Sequence, residues 1–358
     1  MLRAGEGQLQ SQQPDLTPRR FTLHSQDFQV PESTDASDDA ITFGAPADEA
    51  AAVPSEPLFT HALLSRAGCE PGFRKTNQDA AFMASCWAPA GGSTLLGVLD
   101  GHGPQGHLVA AYLKDSFVTF LAAQAQAMKR GEASSALRAA FGACEAGLEC
   151  EGSKIDIDFS GSTLVAALLD GPHADGSGLV TCAWTGDSRC VVGRRPEGDA
   201  PGPLAALALT VDHKPDTPAE AARIRAAGGR VEQLVDERGQ RVGPHRVWLK
   251  TAWTPGLAMS RALGDAVAHT AGVSSTPDVT VHPLCARDEL IILATDGIWE
   301  FITNEEAVTM AAAAPNPAAA CAALAAEAAA RWVKEEDGVC DDITVLVLFL
   351  GAGKQADA

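Results

Sequence analysis

From about residue 58 the chain falls into short apolar runs parted by Gly, Asp and Pro, and the spacing within each run sets the element it can form. LFTHALLSRAG (58–68) and AAFMASC (80–86) are short and separated by a polar, glycine-bearing turn, so they predict strands. STLLGVLD (93–100) predicts a buried strand. HLVAAYLKDSFVTFLAAQAQAMKR (107–130) is too long for one, and Leu108, Ala111, Tyr112, Phe117 and Phe120 lie near helical spacing, so it predicts a single long helix. SSALRAAFGACEAGLEC (134–150) predicts a second helix with Ser134 as its N-cap. STLVAALLD (162–170), LVTCAWTGD (179–187) and RCVVGR (189–194) predict antiparallel strands from their short length, β-branched content and Gly/Asp punctuation.

Further along, TPAEAARIRAAGG (217–229) carries its own helix boundaries. Thr217 stands as the cap, Pro218 in the first turn, Glu220 three residues past the cap, and Gly228 or Gly229 at the stop. DELIILATDG (288–297) predicts a buried strand, 304–314 and 317–334 predict two helices, and DDITVLVLFL (341–350) the last strand. Two helices thus follow the third strand and two precede the last. That is an α+β pattern and not a regular alternation of strand and helix. Residues 1–57 differ: they lack apolar periodicity and carry ten acids against three arginines. Such a segment buries too little apolar surface to offset its ordering entropy and is expected to be a disordered acidic tail. Within it, RRFTLHS (19–25) suits basic-directed phosphorylation at Thr22, or is an uninvolved stretch of tail. The folded domain is expected over 58–351, with a short C-terminal tail at 352–358.

The loop LLGVLDGHGPQGH (95–107) contains a literal G-x-G-x-x-G at Gly101, Gly103 and Gly106. A dinucleotide site would need a second parallel strand soon after the helix, ending in an acid about 20 residues past the last glycine. Here a second helix follows instead, Glu132 falls in a turn, and Asp100 directly before Gly101 would repel a pyrophosphate.

Composition narrows the partners. Acids outnumber bases 46 to 27, for a net charge of −19, so nucleic acid and anionic membranes are disfavoured and metal cations favoured. The nine cysteines show no C-x-x-C spacing and read as reduced thiols. No apolar run approaches the roughly 18 residues of a membrane span. The first ten residues have no apolar signal core, and position 2 is not glycine. A soluble, cytoplasmic or nuclear protein is expected, and a monomer, because nothing resembles a heptad seam.

Carboxylates recur at the edges of the apolar runs. Asp100 and Asp296 each end one and precede a glycine, Asp187 ends another, Asp341 and Asp342 open the last, and Asp79 opens one near the start. If those strands lie side by side, the carboxylates face one another and cannot all stay ionised without cations. Oxygen ligands without cysteine favour magnesium or manganese, and a pair of such ions suits attack of water on phosphorus. Arg74, five residues before Asp79, is a candidate phosphate clamp. His102 is a candidate general acid, or a loop histidine with a structural hydrogen bond. Arg261 and Lys214 are open to two readings, phosphate ligand or structural ion pair.

Nine segments then resemble, in order, the metal-dependent protein serine/threonine phosphatases of type 2C. They are GFRKTNQDA (72–80), GVLDGHGPQGH (97–107), SGST (160–163), AWTGDSR (183–189), LTVDHKP (209–215), ARIRAAGGRV (222–231), LAMSRALGD (257–265), ATDGIWEFI (294–302) and DDITVLV (341–347). The NQD and DGHGPxGH variants look most like the plant, algal and protist subgroup. The resemblance implies an α-β-β-α sandwich, two antiparallel sheets flanked by helix pairs, with two Mg2+ or Mn2+ ions at one end. It implies that Asp100 bridges both ions, the Gly101 carbonyl binds one, and Asp296 and Asp341 complete the other. Asp79 supports a coordinated water, Arg74 binds the substrate phosphate, and His102 is the general acid. A weaker third ion would use Asp187, Asp296 and Glu300. The implied reaction is direct hydrolysis of phosphoserine and phosphothreonine in protein substrates by activated water. Two positions depart from the common pattern: Gln78 stands where many members carry Glu, offering an amide oxygen without charge, and Glu300 where many carry Asp. A catalytically silent binding module would be expected to lack Asp100, Asp296 or Asp341, and all three are present. A two-metal hydrolase of small phosphate esters would use the same residues.

Overall fold

Alternation within the buried strands builds the layers. In Ile343–Leu350, Ile343, Val345 and Val347 face one way, Leu346 and Leu348 the other, and all are buried. Asp288–Ala294 does the same, with Leu290, Ile292 and Ala294 on one face and Ile291 and Leu293 on the other. A strand with two apolar faces needs a packed layer on each side. The computed structural model describes residues 59–86, 93–150, 154–172, 176–197 and 202–351, all within one compact unit, Asp39–Ala358. The expected tails at 1–57, with Thr22, and at 352–358 lie outside the described residues.

Five antiparallel strands form one sheet in the order Phe59–Arg66, Ile343–Leu350, Asp288–Ala294, Arg189–Arg194, Ala205–Ala208. The other sheet runs Leu263–Gly264, Gly161–Ser162, Ser93–His102, Leu164–Asp170, Gly178–Thr185, Asp278–Leu284, with Asp79–Cys86 also paired to Ser93–His102. Between the sheets, Leu96, Val98, Val165 and Cys182 meet Val192, Ile291, Leu293 and Leu346. Helices Asn304–Ala313 and Pro317–Glu335 cover the outer face of the first sheet through Val308, Ala311, Leu324 and Ala328. Gly106–Ala122 and Ala133–Leu148 cover the second through Leu113, Phe117, Leu137 and Phe141. The result is the expected α-β-β-α sandwich.

Several boundaries differ from expectation. The helix predicted over 107–130 is two, Gly106–Ala122 and Ala125–Lys129. At the break the Gln124 N–H donates to Leu121 O, an i→i−3 bond, and no residue of the second piece is buried to hold it in line. The next helix begins at Ala133 with Glu132 in the cap position, which places Ser134 inside it. The strand read over 288–297 stops at Ala294, and Asp296–Trp299 is a short helix. A further antiparallel sheet, Arg230–Val235, Arg241–Trp248 and Pro255–Leu257, had no clear pattern to announce it, because much of it is polar and exposed.

Candidate active site

In an antiparallel pair the end of one strand lies beside the start of its neighbour. Asp79 opens its strand and stands in register with Asp100, near the end of the partner. Asp296 follows the strand whose last residue, Ala294, pairs with Val345, and Asp341 stands just before that same partner strand. Asp187 sits in the turn between Gly178–Thr185 and Arg189–Arg194. The period of each sheet therefore delivers acids from starts and ends alike to one end of the sandwich.

There they act on one another. Asp100, from one sheet, and Asp296, following a strand of the other, lie close enough for each carboxyl to disfavour the charge on its neighbour. Burial first, then the charges of Asp296, Asp79 and Asp341, push the Asp100 carboxyl well above the usual range. Burial, then Asp187 and Asp341, push Asp296 up to about 7. Asp79 is also raised, chiefly by burial; its Oδ2 accepts the Thr295 hydroxyl at 2.9 Å and its Oδ1 is buried without a partner. Asp187 is 2% exposed, and its Oδ1 is likewise orphaned. A Cβ on Gly101 would run into the Gly106 and Gln78 carbonyls, so only glycine lets this backbone pass beside the acids.

Two ammonium groups border the cluster. Lys75 Nζ donates to Asp341 Oδ1 at 2.7 Å, and Lys214 Nζ to Asp187 Oδ2 at 2.6 Å. Burial alone would lower both amines, but the surrounding carboxylates outweigh it and hold them charged. Lys214 thus pairs with a site acid. Arg261 is an element of the scaffold, bonding Glu220, Asp278 and the Thr276 carbonyl. The Asp-Asp pair divides its work: Asp341 joins the cluster, whereas Asp342 accepts the backbone N–H groups of Gly68 at 2.6 Å and Gln78 at 2.8 Å. Gln78 Nε2 donates to the Gly103 carbonyl at 2.7 Å, tying it to the loop. Arg74 is exposed on a two-residue strand paired with Cys69–Glu70, and its guanidinium makes no hydrogen bond or ion pair with the described residues. Glu300 caps the short helix of Asp296 and is exposed.

His102 has a partner that strand-edge reasoning passed over. Its Nε2 lies 2.6 Å from Asp265 Oδ2, and its Nδ1 is buried without a partner. Burial would lower the imidazole, but the Asp265 charge and bond, with Asp187 and Asp296 nearby, raise it above its ordinary value. Asp265 is 2% exposed and takes a left-handed backbone, φ 51°. The clue lay in LGD at 263–265, an acid beside a glycine as at Asp100, Asp187 and Asp296. The strand before it is only Leu263–Gly264, too short to register as apolar periodicity. Gly161 packs against the pair so closely that a Cβ there would strike Asp265 Oδ2 and His102 Nε2.

The family profile described as Protein phosphatase 2C matches residues 65–337. This chain belongs to the protein phosphatase 2C family. It is 36% identical over 307 residues to "Probable protein phosphatase 2C 48" of Oryza sativa subsp. japonica, covering 80% of this chain and 83% of that one. Against "Probable protein phosphatase 2C 64" of the same organism it is 36% identical over 287 residues, spanning 78% of this chain and 64% of that relative. Its fold is similar to the solved serine-threonine phosphatase 2C from Toxoplasma gondii, with a TM-score of 0.68, 25% identity, and 82% and 95% of the two chains covered. As a protein phosphatase 2C it is an enzyme of the serine/threonine phosphatase class. No described helix is long and apolar enough to cross a membrane.

The acid cluster fits the dications that the phosphatase 2C family implies. Its donors are carboxylate oxygens, a hard set. Buried oxygens without partners, and carboxyls pushed up by burial and by one another's charge, are what added positive charge would relieve.

Proposed function

We propose that this phosphatase 2C hydrolyses phosphoserine and phosphothreonine in proteins at the acid end of the sandwich, using magnesium or manganese. The observation that carries this reading is the meeting of Asp100 and Asp296 from opposite sheets, with the orphaned oxygens of Asp79 and Asp187 alongside. Asp79, Asp100, the Gly101 carbonyl, Asp296 and Asp341 would hold two ions, and Asp187 with Glu300 and Asp296 a weaker third. Gln78 would offer only its amide oxygen, its nitrogen being engaged with Gly103. The ions supply charge neutralisation of phosphate and a lowered pKa for water.

The remaining steps belong to side chains. Arg74, exposed and with no side-chain partner among the described residues, takes the substrate phosphate in its planar fork of donors. His102 carries the proton that the leaving serine or threonine oxygen needs. Asp265 accepts from Nε2, which leaves Nδ1 to carry the proton to be given, and the Asp265 charge favours the protonated ring against the effect of burial. Lys75 and Lys214 offset part of the carboxylate charge at the rim.

Phosphate release from a phosphothreonine peptide, measured with manganese, with magnesium and with chelator, tests the proposal. Release should require the dication and fall by at least about 10²-fold in Asp100→Asn. An intact protein that releases nothing with either metal would sink the reading and favour a silent binding module. Release from small esters alone would make it a small-ester hydrolase.

A further inference from the structure

Away from the acid cluster, the end of helix Ala133–Leu148 carries a second set of donors. Glu145 and Glu149 stand four residues apart, and so share one side of the helix end. His269, in the short helix Ala266–Thr270, faces them, and one ligand atom from each of the three lies within 4.8 Å of the others.

Glu145 is only 7% exposed. Its Oε2 accepts the Gly264 N–H at 3.0 Å. Its Oε1 is buried, has no hydrogen-bond partner, and lies 3.4 Å from His269 Nδ1. His269 Nε2 sits 3.2 Å from the Ala262 carbonyl oxygen, which can only accept, so Nε2 carries the hydrogen. In the neutral imidazole Nδ1 then presents a lone pair toward a carboxylate lone pair, and something positive must lie between them. A spacing of 3.4 Å matches two corners of a tetrahedron around an ion with bonds of about 2.1 Å. The Nε2–H to carbonyl bond is the kind of outer contact that orients a ligating histidine.

We infer that Glu145, Glu149 and His269 form a binding site for one first-row transition-metal dication, distinct from the acid cluster. The imidazole nitrogen favours such an ion over magnesium. Glu149, exposed, closes the set from the solvent side and leaves room for water as a further ligand. The site connects to the catalytic histidine by one step of chain: Glu145 holds the Gly264 N–H, and the next residue, Asp265, holds His102. The rival occupant is a proton, held on Nδ1 as an imidazolium or on Glu145, whose carboxyl burial pushes up to about 7, and it would have no use for Glu149.

The experiment is equilibrium dialysis of the full chain against zinc in saturating magnesium, with bound zinc counted by elemental analysis. The inference expects wild type to retain one more zinc per chain than Glu149→Gln or His269→Gln, whose affinity at this site falls by at least about tenfold. Asp341→Asn, altered only in the acid cluster, should keep that zinc. Equal retention by wild type and Glu149→Gln, an exposed and structurally mild change, would overturn it. Because the readout is bound zinc, it stands or falls separately from phosphatase activity.

Discussion

His102 can serve as an acid only if something holds its ring and its proton, and Asp265 does both from 2.6 Å. Asp265→Asn keeps the shape and removes the charge, so the imidazole becomes less basic and loses its fixed tautomer. Turnover of a phosphothreonine peptide should fall by about 10²-fold with KM little changed. A p-nitrophenyl ester, whose leaving group needs no proton, should lose far less. Parallel kinetics on the two substrates check this; equal losses on both would mean Asp265 merely supports the fold. The acids themselves were legible in the sequence because each borders a long apolar run. Asp265 was not, since its strand is two residues long, and the division between Asp341 and Asp342 became visible only when Asp342 was found on the N–H groups of Gly68 and Gln78. Lys75 escaped notice for a similar reason: its partner Asp341 is 266 positions away in sequence.

Helices and strands show the same division between local and long-range signals. Thr303 and Glu306 form a full capping box, and Asn316 caps the next helix by accepting the Ala319 N–H. Thr217 and Glu220 have the spacing of such a box, yet Thr217 makes no side-chain cap bond. Glu220 is drawn instead to Ser260 Oγ at 2.6 Å and to the guanidiniums of Arg261 and Arg223, partners that no local pattern reveals. Burial would raise its carboxyl, but the Arg261, Arg223 and Ser260 contacts overcome that and take it from 4.5 to about 2. A carboxyl lowered by folding adds stability that is complete above its unfolded value and is lost as pH falls through its folded one. Glu220→Gln should therefore destabilise the protein by on the order of 3 kcal/mol at pH ~7. The gap to wild type should narrow steadily below about pH 4.5. Urea unfolding of both proteins from neutral to acid pH measures it, and a gap independent of pH would show that the ion pairs contribute no net linkage.

Taken as one molecule, the sandwich places its acids where they oppose its own folding. Burial and mutual repulsion raise Asp296 from 3.8 to about 7. A carboxyl raised by folding contributes most at low pH, and that contribution drains away as pH climbs through the folded value. At pH ~8 without metal the end of the sandwich is thus at its least stable. Dications that bind the folded chain alone reverse this, by about 2.7 kcal/mol at a hundredfold excess over Kd, or about 5–10 °C in melting temperature for a domain of this size. Asp296→Asn takes one charge out of the cluster. The variant should melt above wild type in chelator and gain little from manganese, while wild type gains the full shift. Thermal unfolding at fixed alkaline pH, with and without manganese, decides it; a wild type indifferent to manganese, or a variant that gains as much, would show that the cluster does not take up the ion. The variant should also lose phosphate release. Extra metal-free stability and lost activity in one substitution would mean that the repulsion stored at this end of the fold is what draws in the charge the reaction needs.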